Sequence, residues 1–305
     1  MYFVLLVVGL ILAAIGGERF VRGAVGLATW LRIPPGIVGA TVAAFATSSP
    51  ELTVGVLSAI DDRPELALGD ATGSNMVNLG IVLGFTLLVS SLRVERIDVQ
   101  REVFGFLAAL AVLAVSSIDG KIVRTESIAM ISIFVVWLLW VVRDARKNRQ
   151  EVSDVGESRK GLICFDVVVG LAILMMSGRL IVVAAKDIGE MLGWSPFIMG
   201  SVVVAIGTSA PELVTTIISA RRGHIGVGIG TVLGSNIFNS MLIVGTAGWI
   251  SPIDTSLAPI VVAVLVSVLA TLLLVPNRRQ KLGRPQGVSL IALYVIFVVA
   301  LLLIQ

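Results

Sequence analysis

Two glutamates define the chemistry this chain could perform. Glu51 and Glu212 each follow a proline and close a Thr-Ser-x-Pro-Glu motif, once in ATSSPEL and once in GTSAPEL. Both stand well inside apolar runs that hold no nearby Lys or Arg to neutralise them. A charged side chain at that depth in a membrane is costly, so it faces a cavity or a partner. Two unpaired carboxylates facing each other would repel strongly in low dielectric unless a cation lies between them or one is protonated. Pro50 and Pro211 each remove a backbone N–H and clash with the carbonyl four residues back, which predicts a kink or break near Ala46 and Gly207. Irregular backbone at membrane depth is tolerated where it lines a cavity or is buried in protein. Freed carbonyls, the hydroxyls of Thr47, Ser48, Thr208 and Ser209, and the two carboxylates make an all-oxygen environment. Oxygen donors suit hard cations such as Ca²⁺ or Na⁺, and the lack of intramembrane His and Cys argues against zinc and copper.

A second duplicated motif adds Ser74, Asn75 and Asn78, with Ser235, Asn236 and Asn239 as counterparts. Ser74 and Asn78 are four residues apart, as are Ser235 and Asn239, so each pair shares one helical face and can point into a common site. Asn75 and Asn236 are candidates either for the site or for holding backbone across the kinked helices. Gly73 and Gly234 permit close approach of a neighbouring helix. Asp70 lies one turn before Ser74; it reads either as an extension of an ion path or as a near-interface residue at a helix start, and its counterpart is Thr231. Glu18, Arg19, Arg22 and Arg179 read as paired or snorkelling groups. His224 reads as solvated beside Arg221 and Arg222, and Asp61, Asp62 and Glu65 as an exposed acidic loop that attracts cations by local potential.

These residues need elements to hold them. Of 305 residues, 56% are hydrophobic and 14% charged, and the mean hydropathy is +1.00. Soluble domains are about a quarter charged, so a soluble protein is excluded. A span takes roughly 20 apolar residues, which allows about ten spans. Apolar runs place helices near 2–31, 36–59, 66–90, 102–118, 124–143, 162–192, 196–220, 226–249, 256–275 and 286–304. The first run has no basic leader region or cleavage site and is read as a retained membrane helix. Cys164 has no second cysteine to pair with and is expected as a small buried apolar side chain.

The expected fold is an all-α polytopic membrane protein with broken helices 2 and 7. Residues 1–143 form one five-helix repeat, 144–161 a cytoplasmic linker and 162–305 a second repeat. Adding 161 to each number carries Gly36 to Leu52 onto Phe197 to Leu213, and Gly69 to Asn78 onto Gly230 to Asn239, without a gap. An odd number of helices per half inverts the second half relative to the first, the architecture of secondary transporters with a midplane site. About 16 Lys and Arg fall in loops 1/2, 3/4, 5/6, 7/8 and 9/10 and about four in the others, which places both termini outside. Scattered in short loops, this basic excess argues against nucleic acid as a partner. An intramembrane hydrolase would need a nucleophile with a base, and no His lies within a span. An uncoupled cation channel would use similar oxygens.

AFATSSPEL with GDATGSNMVN, and AIGTSAPEL with GTVLGSNIFN, resemble the two α-repeats of the Ca²⁺/cation antiporter superfamily, in particular its prokaryotic Na⁺/Ca²⁺ exchanger branch. The resemblance covers essentially the whole chain. It implies a plasma-membrane antiporter of a prokaryotic type that is not an enzyme and needs no cofactor, with lipid around it and four clustered cation positions among helices 2, 3, 7 and 8. By motif position it implies Glu51 and Glu212 as carboxylate ligands, Thr47, Ser48, Ser74, Thr208, Ser209 and Ser235 as hydroxyl ligands, and the carbonyls of Ala44 and Ala205. Asn78 matches an amide of the first repeat, whereas Asn239 stands where the relatives carry aspartate. The site then holds two carboxylates, matching one Ca²⁺ in charge. The resemblance implies Ca²⁺ exchanged for Na⁺ by alternating access, with helices 1 and 6 sliding against the core; H⁺ or K⁺-linked exchange is the alternative.

Overall fold

The computed structural model describes residues 2–33, 35–89, 92–93, 96–147, 157–192, 194–275 and 281–304. Among them run ten helical segments: α1 (Tyr2–Leu31), α2 (35–60), α3 (Pro64–Val89), α4 (Arg96–Ser116), α5 (Arg124–Lys147), α6 (Glu157–Leu192), α7 (196–221), α8 (Ile225–Ile250), α9 (Leu257–Leu273) and α10 (Arg284–Leu303). Each apolar run of the sequence has become one of them. Helix α4 starts earlier than its apolar stretch, and in its polar part Arg101 pairs with Glu102 and, at 3.3 Å, with Asp144 of α5. By length and composition, five helices among the described residues contain a stretch able to cross a membrane, or up to seven when bent pairs are joined.

Polar composition decides which helices lie inside. The apolar stretches of α3 and α8 are 78% and 94% buried, against 22% for α5 and 17% for α6. Val136, Leu139 and Trp140 of α5 and Leu162, Phe165 and Val168 of α6 face outward. Such continuous apolar surface is suited to lipid. Cys164 belongs to this outer face: it is exposed, not buried as expected, since a lipid-facing helix surface accepts a small thiol as readily as a core does. Inside, Leu68, Met76 and Leu79 of α3 pack with Phe106 and Leu110 of α4, and Phe238 of α8 meets Phe134 edge-on at 5.5 Å.

Gly73 and Gly234 bring the inner helices to backbone contact. A Cβ on Gly73 would stand 2.1 Å from the Ser201 carbonyl oxygen of α7, and one on Gly234 would stand 2.5 Å from that of Ala40 in α2. Thus α3 packs on α7 and α8 on α2, each repeat reaching into the other. Two short antiparallel pairs outside the helices repeat this exchange. Strand β1 (Leu92–Arg93) pairs with β4 (Lys281–Leu282), and β2 (Lys121–Ile122) with β3 (Ile253–Asp254). They join loop 3/4 to loop 9/10 and loop 4/5 to loop 8/9, the same groupings that the inverted repeat requires.

Four π-helical turns, Gly39–Ala43, Val77–Leu83, Met199–Val204 and Phe238–Ile243, widen α2, α3, α7 and α8 at equivalent places. Such turns are rare and concentrate at functional sites. The breaks of α2 and α7 fall at Ser48 and Ser209, two residues later than expected from the prolines. The ring tolerates the first turn of a new helix, so each proline begins one instead of bending the old one. In α7 the two pieces meet at 42°.

Among the other charged groups, Glu18 bonds Arg222 at 2.5 Å and lies 3.8 Å from Arg22, and Arg19 stacks 5.9 Å from the Phe165 ring. The Arg179 side chain and residues 148–156 of the central linker lie outside the described residues. Asp61 and Asp62 are exposed, and His224 and Glu65 half-buried.

Candidate cation site

Each broken helix delivers its glutamate to the start of a new helix. Glu51 lies in the first turn of Ser49–Ile60 and Glu212 in the first turn of Ala210–Arg221. Unpaired N–H groups and the helix dipole make that end favourable for negative charge. Both side chains are fully buried, as are Thr47, Ser48, Ser74, Asn78, Thr208, Ser209, Ser235 and Asn239 within about 1%. The site is therefore sealed from solvent.

Around Glu212 the two repeats interlock. Its Oε1 accepts hydrogen bonds from Ser48 at 3.2 Å and from Ser235 at 3.1 Å. The Ser235 hydroxyl is also 3.5 Å from the Ala44 carbonyl oxygen. Thr47 stands beside Glu212 but donates to the Ala43 carbonyl at 3.0 Å. The Ala44 and Ala205 carbonyls are not freed by the breaks, because the amides of Ser48 and Ser209 bond them at 2.9 and 3.1 Å. Each keeps a second lone pair for another partner.

Glu51 has a different environment. Neither carboxylate oxygen has a hydrogen-bond partner, and nor does the hydroxyl of Ser209. Thr208 lies beside Glu51 yet outside hydrogen-bond geometry with it; its hydroxyl donates to Asp70 at 3.1 Å and sits 3.2 Å from that of Ser74. Ser74 is 3.5 Å from the same Asp70 oxygen. Asp70 is fully buried and lies in the second turn of α3, which begins at Pro64. Asp70 is thus a third buried carboxylate beside the two read from the sequence. The signal was present: Asp70 and Ser74 are four apart on one face, as Ser74 and Asn78 are.

The asparagines bridge α3 and α8. Asn78 donates to the Asn236 side-chain oxygen at 3.0 Å, Asn236 to the Asn75 carbonyl at 3.3 Å, and Asn75 to Ser240 at 2.8 Å. Asn75 and Asn236 thus hold the helix crossing together. Neither polar atom of Asn239 has a partner. The Asn239 oxygen, both oxygens of Glu51, one oxygen each of Glu212 and Asp70, and the Asn78 oxygen are buried acceptors without donors. Burying a charge without compensation costs several kcal/mol. Among the described residues no Lys, Arg or His is buried to compensate them. The arrangement suits a bound cation.

The family model for "Sodium/calcium exchanger protein" matches residues 1–143 and 164–303. This chain belongs to that sodium/calcium exchanger family. It is 33% identical to the inner membrane protein YrbG of Escherichia coli, over 97% of this chain and 95% of that protein. It is 25% identical to the sodium/calcium exchanger MaX1 of Methanosarcina acetivorans over 98% of both chains. The solved structure of the sodium-calcium exchanger NCX_Mj, soaked with Na⁺ and Sr²⁺, superposes with a TM-score of 0.82 at 28% identity, covering 97% of this chain and 96% of that one. The family is one of membrane transporters, and cation exchange is its activity.

One cavity of this family member does not belong to the site. It measures about 460 Å³ and is lined by Phe45, Phe134, Trp137, Leu171 and Phe238 among others. The Thr41 hydroxyl in its wall is already spent on the Ile37 carbonyl at 2.7 Å. A cation would find little there to replace its water.

Proposed function

We propose that this chain exchanges Ca²⁺ for Na⁺ across the membrane by alternating access, at a site built from α2, α3, α7 and α8. The observation that carries the reading is the pair of buried, symmetry-related glutamates with unpartnered oxygens, set among hydroxyls and carbonyls. Glu51 and Glu212 are the carboxylate ligands. Thr47, Ser48, Ser74, Thr208, Ser209 and Ser235 supply hydroxyls, Asn78 and Asn239 amides, and Ala44 and Ala205 their second carbonyl lone pairs. The names of MaX1 and NCX_Mj support Na⁺ and Ca²⁺ as the exchanged ions.

Ca²⁺ and Na⁺ compete because both need the same oxygens. A loaded site neutralises its carboxylates and crosses the sealed state at low cost, whereas an unloaded one carries naked charge through it. The sealed geometry supports that intermediate. The outer pair α1 and α6, linked where Ser177 donates to the Gly9 carbonyl at 2.8 Å, would slide against the core to open either side. Lys and Arg in the odd-numbered loops favour outside termini and a cytoplasmic linker 144–161 between repeats 1–143 and 162–305. The inner-membrane relative YrbG supports a prokaryotic plasma membrane.

Radioactive Ca²⁺ uptake into proteoliposomes with imposed Na⁺, K⁺ or H⁺ gradients tests the reading. Uptake driven by an outward Na⁺ gradient is the expected result. Drive by pH alone would reassign the coupling ion to H⁺. Flux indifferent to every gradient would identify a channel and overturn exchange.

A further inference from the structure

Away from the cation site, one acid–base pair changes sign under the repeat. Adding 161 carries Gly17 and Glu18 of α1 onto Gly178 and Arg179 of α6, and Asp61 of loop 2/3 onto Arg222 of loop 7/8. The fold keeps the two loop residues equivalent. Asp61 and Arg222 cap the ends of Ser49–Ile60 and Ala210–Arg221, and each precedes a residue with positive φ, Asp62 at 54° and Gly223 at 77°. In this structure Glu18 pairs with Arg222 at 2.5 Å. The pair ties α1 to the part of α7 that runs from Glu212 to loop 7/8, where a Cβ on Gly17 would stand 2.6 Å from the Val214 side chain. The equivalent part of α2, from Glu51 to loop 2/3, is less covered: Leu57 is 55% exposed, whereas its counterpart Ile218 is half-buried. One half is thus covered and the other open, and in an inverted repeat these two parts lead from the site to opposite sides of the membrane.

When such a transporter reverses, each half takes up the arrangement the other had. Resting on the alternating-access reading above, we propose that Glu18–Arg222 and Arg179–Asp61 are two ionic latches, of opposite polarity, that close in turn as α1 and α6 slide. The first, closed here, holds α1 over α7 and bars the route from the site to the loop 7/8 side. The second closes in the opposite state, with α6 over α2, and bars the route to the loop 2/3 side; Arg179 is assigned to it by its position in the repeat. The side chains of Glu18 and Arg222 are 54% and 36% exposed, so water screens the pair and it biases the equilibrium without locking it. A pair of this kind shifts the two populations about two- to fivefold, little enough for bound ions to reverse. When the first latch opens, Glu18 keeps a partner in Arg22, 3.8 Å away on its own helix.

Thiol labelling of the ion-free protein in detergent tests this independently of transport. With the exposed Cys164 replaced by alanine, Val214→Cys reports how often α1 leaves α7. Glu18→Gln and Arg222→Gln each raise its rate of labelling by a maleimide about two- to fivefold, and the two together raise it no further, since either alone opens the latch. Arg179→Gln and Asp61→Asn lower the rate by a similar factor, because they destabilise the opposite state. A rate that ignores Glu18→Gln, or that fails to fall in Arg179→Gln and Asp61→Asn, overturns the proposal. If wild-type vesicles show no gradient-driven Ca²⁺ flux, the exchange reading falls, and the labelling still decides the latches.

Discussion

Ser74 and Ser235 occupy equivalent places in the two repeats, yet their hydroxyls serve different carboxylates. Ser235 joins Ser48 on Glu212, so that the glutamate of the second repeat is held by both halves of the chain. Ser74 turns with Thr208 toward Asp70 and leaves Glu51 without a donor. The backbone around them is alike in both halves: a break at Ser48 and at Ser209, π turns at matching places, a glycine pressed against a facing carbonyl. An inverted repeat thus supplies a symmetric scaffold without a symmetric site. One side chain redirects two hydroxyls, because a buried carboxylate competes for every donor within reach.

The comparison can be broken first at the glutamates. Glu51→Gln and Glu212→Gln each remove a carboxylate of the proposed ion site, and each is expected to lower exchange by more than about a hundredfold. Gradient-driven Ca²⁺ uptake measures it, and a variant that keeps substantial exchange would show that the two halves are not both needed.

Next come the glycines, where the scaffold itself should respond alike. Gly73→Ala forces a Cβ to 2.1 Å from the Ser201 oxygen and Gly234→Ala one to 2.5 Å from the Ala40 oxygen. Both should destabilise the protein by about 2 kcal/mol or more, the first more than the second, as read from thermal melting in detergent.

A finer contrast lies between Ser48 and Ser209. In ion-free protein Ser48→Ala loses the bond to Glu212 and should cost about 1 to 2 kcal/mol, whereas Ser209→Ala has no such bond to lose and should stay within about 0.5 kcal/mol. Both should weaken Ca²⁺ binding if both hydroxyls are ligands, as proposed for the loaded site. Equal melting shifts would contradict the asymmetry.

Thr231→Ala gives the smallest effect. Its hydroxyl serves only its own helix, so exchange should change by less than about twofold. A loss of exchange of about tenfold or more, the size expected of a lost ligand, would place Thr231 in the site after all.

Much of this was legible without coordinates. Helix positions followed from apolar runs because a bilayer imposes one length and one polarity on every span. Glu51 and Glu212 stood out because charge is scarce there and both lie in duplicated motifs. Asp70 was harder to read for the same reason: its counterpart is Thr231, so the repeat lent it no support, and its place near a helix start suggested an interface. Cys164 was misjudged because an apolar side chain in a membrane protein is as much at home facing lipid as facing the core.

The amino-acid sequence by itself determined the class of protein, the inverted repeat and the oxygen-rich motifs, since these depend on local composition and on spacing along one helix. Tertiary structure alone decided which donor serves which acceptor. Ser48 reaches Glu212 across 164 positions of chain and Thr208 reaches Asp70 across 138. Hydrogen bonds between helices depend on how closely and at what angle the helices meet, and that is set by glycine contacts and π turns acting together. No segment read alone carries that geometry.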